Sequence, residues 1–104
     1  MITSKQRAYL RKLANDLDPV MLIGKEGLTD NVLRAIDEAL EKRELIKVKI
    51  LESALLDSRM ACDESAKELK AEPVQAIGSK FVLYRMAEKK ENRKIDIKGI
   101  IKRK

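Results

Sequence analysis

The first amphipathic pattern of the chain covers residues 4–17 and has the spacing of an α-helix. Its apolar stripe, at positions three and four apart, consists of Leu10, Leu13, Ala14 and Leu17. Thr3 and Gln6 have the spacing of a capping box, in which both side chains bind backbone N–H groups at the helix start. Asp18-Pro19 predicts the end of this helix, because proline disfavours helical backbone in the residue before it.

A short apolar run and a second helical pattern follow. Residues 19–23 are bounded by a proline and a glycine, and a run of this length favours a buried strand. Residues 24–27 are predicted as a loop. Thr29 is predicted to cap a second helix that reaches about Glu44. The apolar face of that helix comprises Val32, Leu33, Ile36, Ala39 and Leu40.

The second half of the chain predicts a strand, a third helix and a hairpin. Residues 45–51 alternate between apolar and polar positions, which is typical of a half-buried strand with Lys47 and Lys49 on its outer face. A third helix is predicted to begin at Asp57 or Ser58 and to end before the next proline. Two further strands are expected at 74–77 and 81–86, with a turn at 78–80. This order of elements predicts a two-layer α+β domain.

Length and charge divide the chain into two parts. A chain of 104 residues is one small domain, and its 23 Lys and Arg against 17 Asp and Glu favour an anionic partner. Residues 19–87 are almost neutral, whereas residues 88–104 hold eight basic and three acidic side chains. We therefore predict a folded domain over 1–87 and a basic tail over 88–104, with a short docked strand near 94–98. Such a tail is either a solvated segment without a fixed partner or an arm that contacts a nucleic acid.

Several functional classes are disfavoured by the residues that the sequence lacks. Histidine, the commonest general base and metal ligand, is absent, so hydrolase triads and zinc sites are not expected. Cys62 is the only cysteine, which fits a reducing compartment and favours a packing role. Asp37, Glu38 and Glu41 lie near basic side chains, where solvated ion pairs are the ordinary role. No apolar run approaches the ~20 residues of a membrane span. We expect no cofactor, no metal and no membrane partner.

The loop between the first strand and the second helix is one candidate binding site. Its two glycines let the backbone take positive φ and let a ligand approach closely. The helix start and Lys25 both favour a phosphate, and KH-like modules grip a nucleic-acid backbone with a glycine-flanked loop of this kind. An ordinary strand-to-helix turn has the same spacing, and the acidic Glu26 opposes anion binding. The candidate residues are Gly24, Lys25, Glu26 and Gly27.

Two groups of basic side chains are further candidates for contact with a polyanion. They are Lys5, Arg7, Arg11 and Lys12, which lie off the stripe of the first helix, and Lys47 and Lys49 of the second strand. Each group is also typical of an ordinary solvated surface, but together they agree in sign. The aromatic residues, Tyr9, Phe81 and Tyr84, are too few for a platform that stacks bases. Recognition of backbone and shape is therefore favoured.

Four segments form a recognisable series along the chain. They are residues 3–14 (TSKQRAYLRKLA), 23–29 (IGKEGLT), 43–49 (RELIKVK), and 74–78 with 82–85 (VQAIG and VLYR). In order and content they resemble the CRM-domain family, the chloroplast RNA splicing and ribosome maturation domain, in its single-domain bacterial YhbY-like form. The resemblance covers about residues 3–86. It is weaker over residues 57–72, and Glu26 is an unusual acid within the loop.

This resemblance implies a fold, a function and a set of contacts. The fold is a two-layer α+β sandwich with three helices on a four-stranded mixed sheet, similar to the C-terminal domain of a bacterial translation initiation factor. The function is that of a cytoplasmic, monomeric, non-catalytic protein that binds ribosomal RNA or precursors of the large subunit in ribosome assembly. The family's glycine loop and basic surface map onto the candidate residues named above. A ribosome-associated adaptor that contacts proteins rather than RNA is the alternative.

Overall fold

The structure, a computed structural model, describes residues 2–95. Its helices and strands are, in chain order, α1 (Ser4–Ala14), β1 (Met21–Ile23), α2 (Asp30–Arg43), β2 (Leu45–Ile50), α3 (Ser58–Leu69), β3 (Glu72–Ile77) and β4 (Lys80–Tyr84). Short 3-10 helices lie at Glu52–Ala54 and Lys90–Asn92. Every predicted helix and strand of the first 87 residues is present in the predicted order. Of the strand expected near 94–98, residues 96–98 lie outside the described residues, and 94 and 95 are not in a strand.

The helices begin where the sequence predicts because side chains satisfy their first N–H groups. Thr3 Oγ1 accepts from Gln6 N–H at 3.1 Å, and Gln6 Oε1 accepts from Thr3 N–H at 2.8 Å, which confirms the capping box. Thr29 caps α2 and Asp57 caps α3 in the same way, each accepting from the N–H three residues on. Helix α1 ends at Ala14, three residues before the predicted end, because Asn15 N–H closes the last turn on earlier carbonyls.

The four strands form one mixed sheet in the order β1-β2-β4-β3. Strand β1 pairs parallel to β2, while β4 pairs antiparallel to both β2 and β3. Strand β3 begins at Glu72 and so includes Pro73, which the sequence had placed outside it. An edge strand tolerates a proline, and the pairing of β3 with β4 is irregular between Pro73 and Gln75.

The three helices cover both faces of the sheet. Helices α2 and α3 pack on one face, in a core that includes Ile46, Val48, Ile50, Phe81 and Leu83. Helix α1 packs on the other face, against Leu45, Val74, Val82 and Tyr84. Three helices on a four-stranded mixed sheet in an α+β domain are therefore confirmed, but the layers number three instead of the expected two. The cause is β4, whose consecutive residues Phe81–Tyr84 are all buried and need cover on both faces.

The segment after β4 is held against α2 by two carboxylates. Glu44 is fully buried, and its carboxylate accepts backbone N–H bonds from Ala87 at 2.7 Å, Lys94 at 2.7 Å and Ile95 at 2.9 Å. The Glu41 carboxylate accepts from the N–H groups of residues 88 and 89 and from an asparagine side chain. The described part of the predicted tail is thus hydrogen-bonded to the domain, and the boundary after residue 87 stays a prediction.

Candidate functional site

The glycine-flanked loop is a tight turn at the end of β1. Gly27 N–H donates to Gly24 C=O at 3.0 Å, and Gly27 has a φ of +74°, a conformation that side chains with a Cβ rarely adopt. A Cβ on Gly24 would meet no atom within 4 Å, so this glycine leaves open space beside the backbone. Lys25 and Glu26, at the tip of the turn, are exposed. The loop therefore presents backbone and a lysine to solvent, as the sequence predicts, with the acid of Glu26 beside them.

An exposed apolar rim borders this loop. The Cδ1 of Leu56 lies 3.7 Å from the position of a Cβ on Gly27, and the neighbouring Leu55 is 92% exposed. Both leucines line a cavity of about 240 Å³ that extends to the turn between β3 and β4. These aliphatic side chains are accessible to a ligand that contacts the loop. The hydropathy pattern did not mark them as a site, although their place between β2 and α3 without a periodic partner was a signal.

The lysines of β2 lie on the side of the sheet that carries α1. Lys47 and Lys49 alternate with the buried residues of the α2–α3 core, so they share the face of Leu45 and are half-buried. In the sheet register Lys49 stands between Leu22 of β1 and Lys80 of β4. Like charges directly opposite each other in a sheet repel, so an anion that bridged these ammonium groups would relieve the repulsion. The sequence could not identify Lys80, because its position opposite Lys49 depends on strand register.

Helix α1 divides its basic residues between two places. Lys5, Arg11 and Lys12 are exposed, opposite the buried stripe that contains Leu10 and Ala14. Arg7 is half-buried and lies over β3 and beside α3. The candidate residues therefore do not form one compact cluster.

The candidate residues instead extend from one edge of the sheet to the other. The loop at 24–27 lies at the β1 edge and Arg7 at the β3 edge. Lys47 and Lys49 lie between them on β2, and α1 contacts β2, β4 and β3. Their assignment to a ligand stays a prediction.

The acidic residues and the cysteine that the sequence analysis considered have structural contacts. Asp37 accepts from the Arg85 guanidinium at 2.6 Å, and backbone N–H groups of residues 88 and 89, together with Asn92, lower the pKa of Glu41. Burial, together with the charge of Asp63, raises the pKa of Cys62 to about 12, so its thiol stays protonated at neutral pH.

Residues 2–95 contain no group of three or more metal-ligating side chains. Within the same residues, no helix has the length and apolarity to cross a membrane.

Comparison with known proteins places this fold and these segments in a family. The CRS1/YhbY (CRM) domain family matches residues 2–85. "Probable RNA-binding protein YqeI" of Bacillus subtilis is 41% identical over 97 residues, which cover 93% of this chain and 99% of that protein. A protein of Haemophilus influenzae named "RNA-binding protein" is 40% identical over 87 residues, which cover 84% of this chain and 88% of that protein.

A solved structure has the same fold. The solution structure of the hypothetical protein SAV1595 from Staphylococcus aureus matches with a TM-score of 0.75 and 38% identity, covering 92% of this chain and all of that one. The family resemblance inferred from the four sequence segments is thereby confirmed over nearly the whole chain. This chain belongs to the CRS1/YhbY (CRM) domain family.

Proposed function

We propose that this protein binds RNA without catalysis, through the side of the sheet that carries α1. The observation that carries the proposal is the continuity of the glycine loop with Lys49 and Lys47, whose strand lies directly beside β1. Two relatives that cover most of the chain are named for RNA binding, which supports the same ligand. Helix α1 adds exposed basic residues on this side and contains no acidic residue.

The loop would contact the sugar–phosphate backbone through its main chain. Gly24 leaves room for close approach, and the turn directs the chain into the N-terminus of α2, where unpaired N–H groups favour an anion. Lys25 adds a positive charge at the tip. The aliphatic rim formed by Leu55 and Leu56 stands next to Gly27, where it would meet the less polar parts of a nucleotide.

We further propose that the RNA is ribosomal, in precursors of the large subunit, and that the protein acts there in ribosome assembly as a cytoplasmic monomer. This finer assignment rests on the CRM-family resemblance. Crosslinking of the tagged protein in cells, followed by sequencing of the attached RNA, tests it. Enrichment of large-subunit ribosomal RNA is expected. Enrichment of messenger or transfer RNA instead would contradict the assignment.

Charge neutralisation on opposite faces tests the proposed RNA surface. Lys47→Gln with Lys49→Gln removes two charges from the α1 side, and the control Lys42→Gln with Lys67→Gln removes two exposed charges from α2 and α3. Binding of a fluorescein-labelled transcript of large-subunit ribosomal RNA is measured by anisotropy at several salt concentrations. The first variant should bind more weakly, with a slope of log affinity against log salt reduced by about one to two. Equal effects of the two variants would refute the surface.

The loop is tested by a change that does not strain the backbone. Gly24→Asp places a carboxylate in open space, whereas any side chain at Gly27 would also have to adopt a positive φ. Gly24→Asp and Lys25→Ala, made as separate single variants, should each weaken RNA binding. The urea midpoint of unfolding should stay the same in both. Unchanged binding by both variants at fixed salt would remove the loop from the interface. Affinity for ribosomal particles without affinity for naked RNA would favour the protein-contacting adaptor.

A further inference from the structure

A small pocket at the β3 edge of the sheet holds two arginines from different elements. Arg7 of α1 and Arg59 of α3 both line this cavity of about 230 Å³, although they are more than fifty positions apart in sequence. The edge strand β3 forms its floor, from Pro73 to Ala76. The sequence pattern places Arg7 on the basic face of α1 and does not connect it with Arg59.

The Arg7 side chain is incompletely satisfied in this pocket. Its Nε is buried, and no hydrogen-bond acceptor within the described residues reaches it. A buried donor without an acceptor is unfavourable, and guanidinium groups match the oxygens of a phosphate in spacing and charge. The Arg59 side chain, in contrast, is 77% exposed, and its Nε lies 3.7 Å from an Asp63 carboxylate oxygen. Arg59 is therefore free to turn toward an anion held by Arg7.

The pocket floor is built in a way that leaves room for a ligand. The pairing of β3 with β4 is irregular between Pro73 and Gln75, and an irregular pairing displaces an edge strand from the regular ladder. The Cys62 thiol lies beneath, donating weak hydrogen bonds to the Gln75 and Val82 carbonyls at 3.8 Å. These contacts pair the thiol with two carbonyls. Among the described residues, the Arg7 Nε is then the one buried side-chain nitrogen or oxygen of the pocket lining without a hydrogen-bond partner.

We propose that Arg7 and Arg59 form a binding site for a phosphate group at the β3 edge, separate from the glycine loop at the β1 edge. The proposal rests on the proposed RNA-binding function, in which the phosphate belongs to the RNA backbone. Three strand spacings of ~4.8 Å separate the two edges, so the two sites lie at least about 14 Å apart. One RNA that contacted both sites along the α1 side would pass over Lys47 and Lys49.

Asp63 gives the proposal a test of opposite sign. Its carboxylate lines the same pocket and competes with an anion for Arg59. Neutralising this carboxylate in Asp63→Asn should therefore tighten phosphate binding, whereas Arg59→Ala should weaken it. Both side chains are largely exposed on α3, so neither change should disturb the fold. Arg34→Ala, at an exposed position of α2 away from the pocket, is the matched control for loss of one arginine.

The experiment uses the full chain with two ligands. Inorganic phosphate is titrated while NMR follows the arginine Nε–Hε signals and the amides of Val74 and Gln75, and labelled ribosomal RNA is titrated by anisotropy at several salt concentrations. Phosphate should shift the Arg7 and Arg59 signals in the wild type, and the Arg7 signal should shift less in Arg59→Ala. That variant should lower the salt slope of RNA binding by about one, with Arg34→Ala unchanged.

The outcomes separate the pocket from the general function. The proposed phosphate site would be overturned if the wild type binds RNA but phosphate shifts no signal of the pocket, and if Arg59→Ala has the same salt slope of RNA binding as the wild type. A wild type that binds no RNA refutes the proposed function; phosphate shifts in the pocket would then support a site for free phosphate alone. Phosphate shifts that RNA suppresses would identify the RNA backbone as the source. An Asp63→Asn variant with weaker phosphate binding would contradict the arrangement.

Discussion

Glu44 provides the strongest test of how the chain after β4 is held. Its carboxylate is fully buried between α2 and residues 87–95 and accepts three backbone N–H bonds at 2.7–2.9 Å. Its backbone φ of +67° is unfavourable for a residue with a Cβ. Replacement by alanine removes the acceptor and keeps the unfavourable φ, whereas replacement by glycine removes the acceptor and relieves it.

The expected losses follow from which N–H groups water can reach. The Ala87 N–H is buried, and leaving it without an acceptor costs about 1–3 kcal/mol. The N–H groups of residues 94 and 95 are partly buried and can find water, so each adds about 0.5 kcal/mol. Glu44→Ala should thus lower the free energy of unfolding by about 2–4 kcal/mol. Glu44→Gly should lower the free energy of unfolding by about 0.5–1 kcal/mol less than Glu44→Ala does. The reason is that relief of the strained φ in the folded state exceeds the effect of the added entropy of the unfolded chain.

Urea unfolding at neutral pH measures both variants, and amide hydrogen exchange locates the effect. Protection should fall first at the amides of residues 87, 94 and 95, which lose their acceptor. Glu38→Ala, an exposed carboxylate on the same helix, is the control and should change stability by less than about 0.5 kcal/mol. A Glu44→Ala variant as stable as this control would show that the buried carboxylate does not hold the segment. A glycine variant less stable than the alanine variant would refute the strain argument.

Three further predictions concern Tyr84, Cys62 and the loop glycines. The Tyr84 hydroxyl is buried and has no hydrogen-bond partner among residues 2–95, so Tyr84→Phe should keep or raise the urea-derived stability, by up to about 1 kcal/mol. Burial, with the Glu44 charge, raises the pKa of Tyr84 to about 12 in the folded protein. The contribution of the neutral tyrosine to the free energy of unfolding is therefore complete below about pH 10 and is lost as the pH rises through 12. In Tyr84→Phe, the free energy of unfolding should fall less over this pH range. Because the pKa of Cys62 is about 12 in the folded protein, its thiol should react slowly with a thiol reagent at pH 8. The reaction should be about 100-fold or more slower in the folded protein than in the protein unfolded in urea. Gly27→Ala should cost about 1 kcal/mol of unfolding free energy, and Gly24→Ala almost none.

Local features of the fold could be predicted because they depend on neighbours in sequence. The capping side chains Thr3, Thr29 and Asp57 act within three residues, and the alternation of β2 depends on a period of two. The number of layers was a non-local property. Its signal was nevertheless present in the continuous apolar run Phe81–Tyr84, which indicates a strand covered on both faces.

The sequence pattern could not predict the roles of residues that depend on partners far away in the chain. Glu44 follows a helix and looks like an ordinary polar residue, yet it binds amides that are 43 to 51 positions away. Arg59 joins Arg7 only because α1 crosses the edge strand beside α3. Of the candidate site, the turn at 24–27 and the alternation of the lysines along β2 followed from local chemistry, whereas their placement relative to one another required the sheet order.

The nearly neutral charge of residues 19–87 conceals a separation of charge between the two faces. Glu41 and Glu44 accept hydrogen bonds from residues 87–95, and Asp37 pairs with Arg85, so these three carboxylates at the end of α2 are engaged by contacts within the fold. Helix α1 has no acidic residue, and the β2 lysines share its side of the sheet. Because a polyanion responds to the local potential, the α1 side is the part of the described fold that should attract it. Ile95, the last described residue, packs against the α1 core.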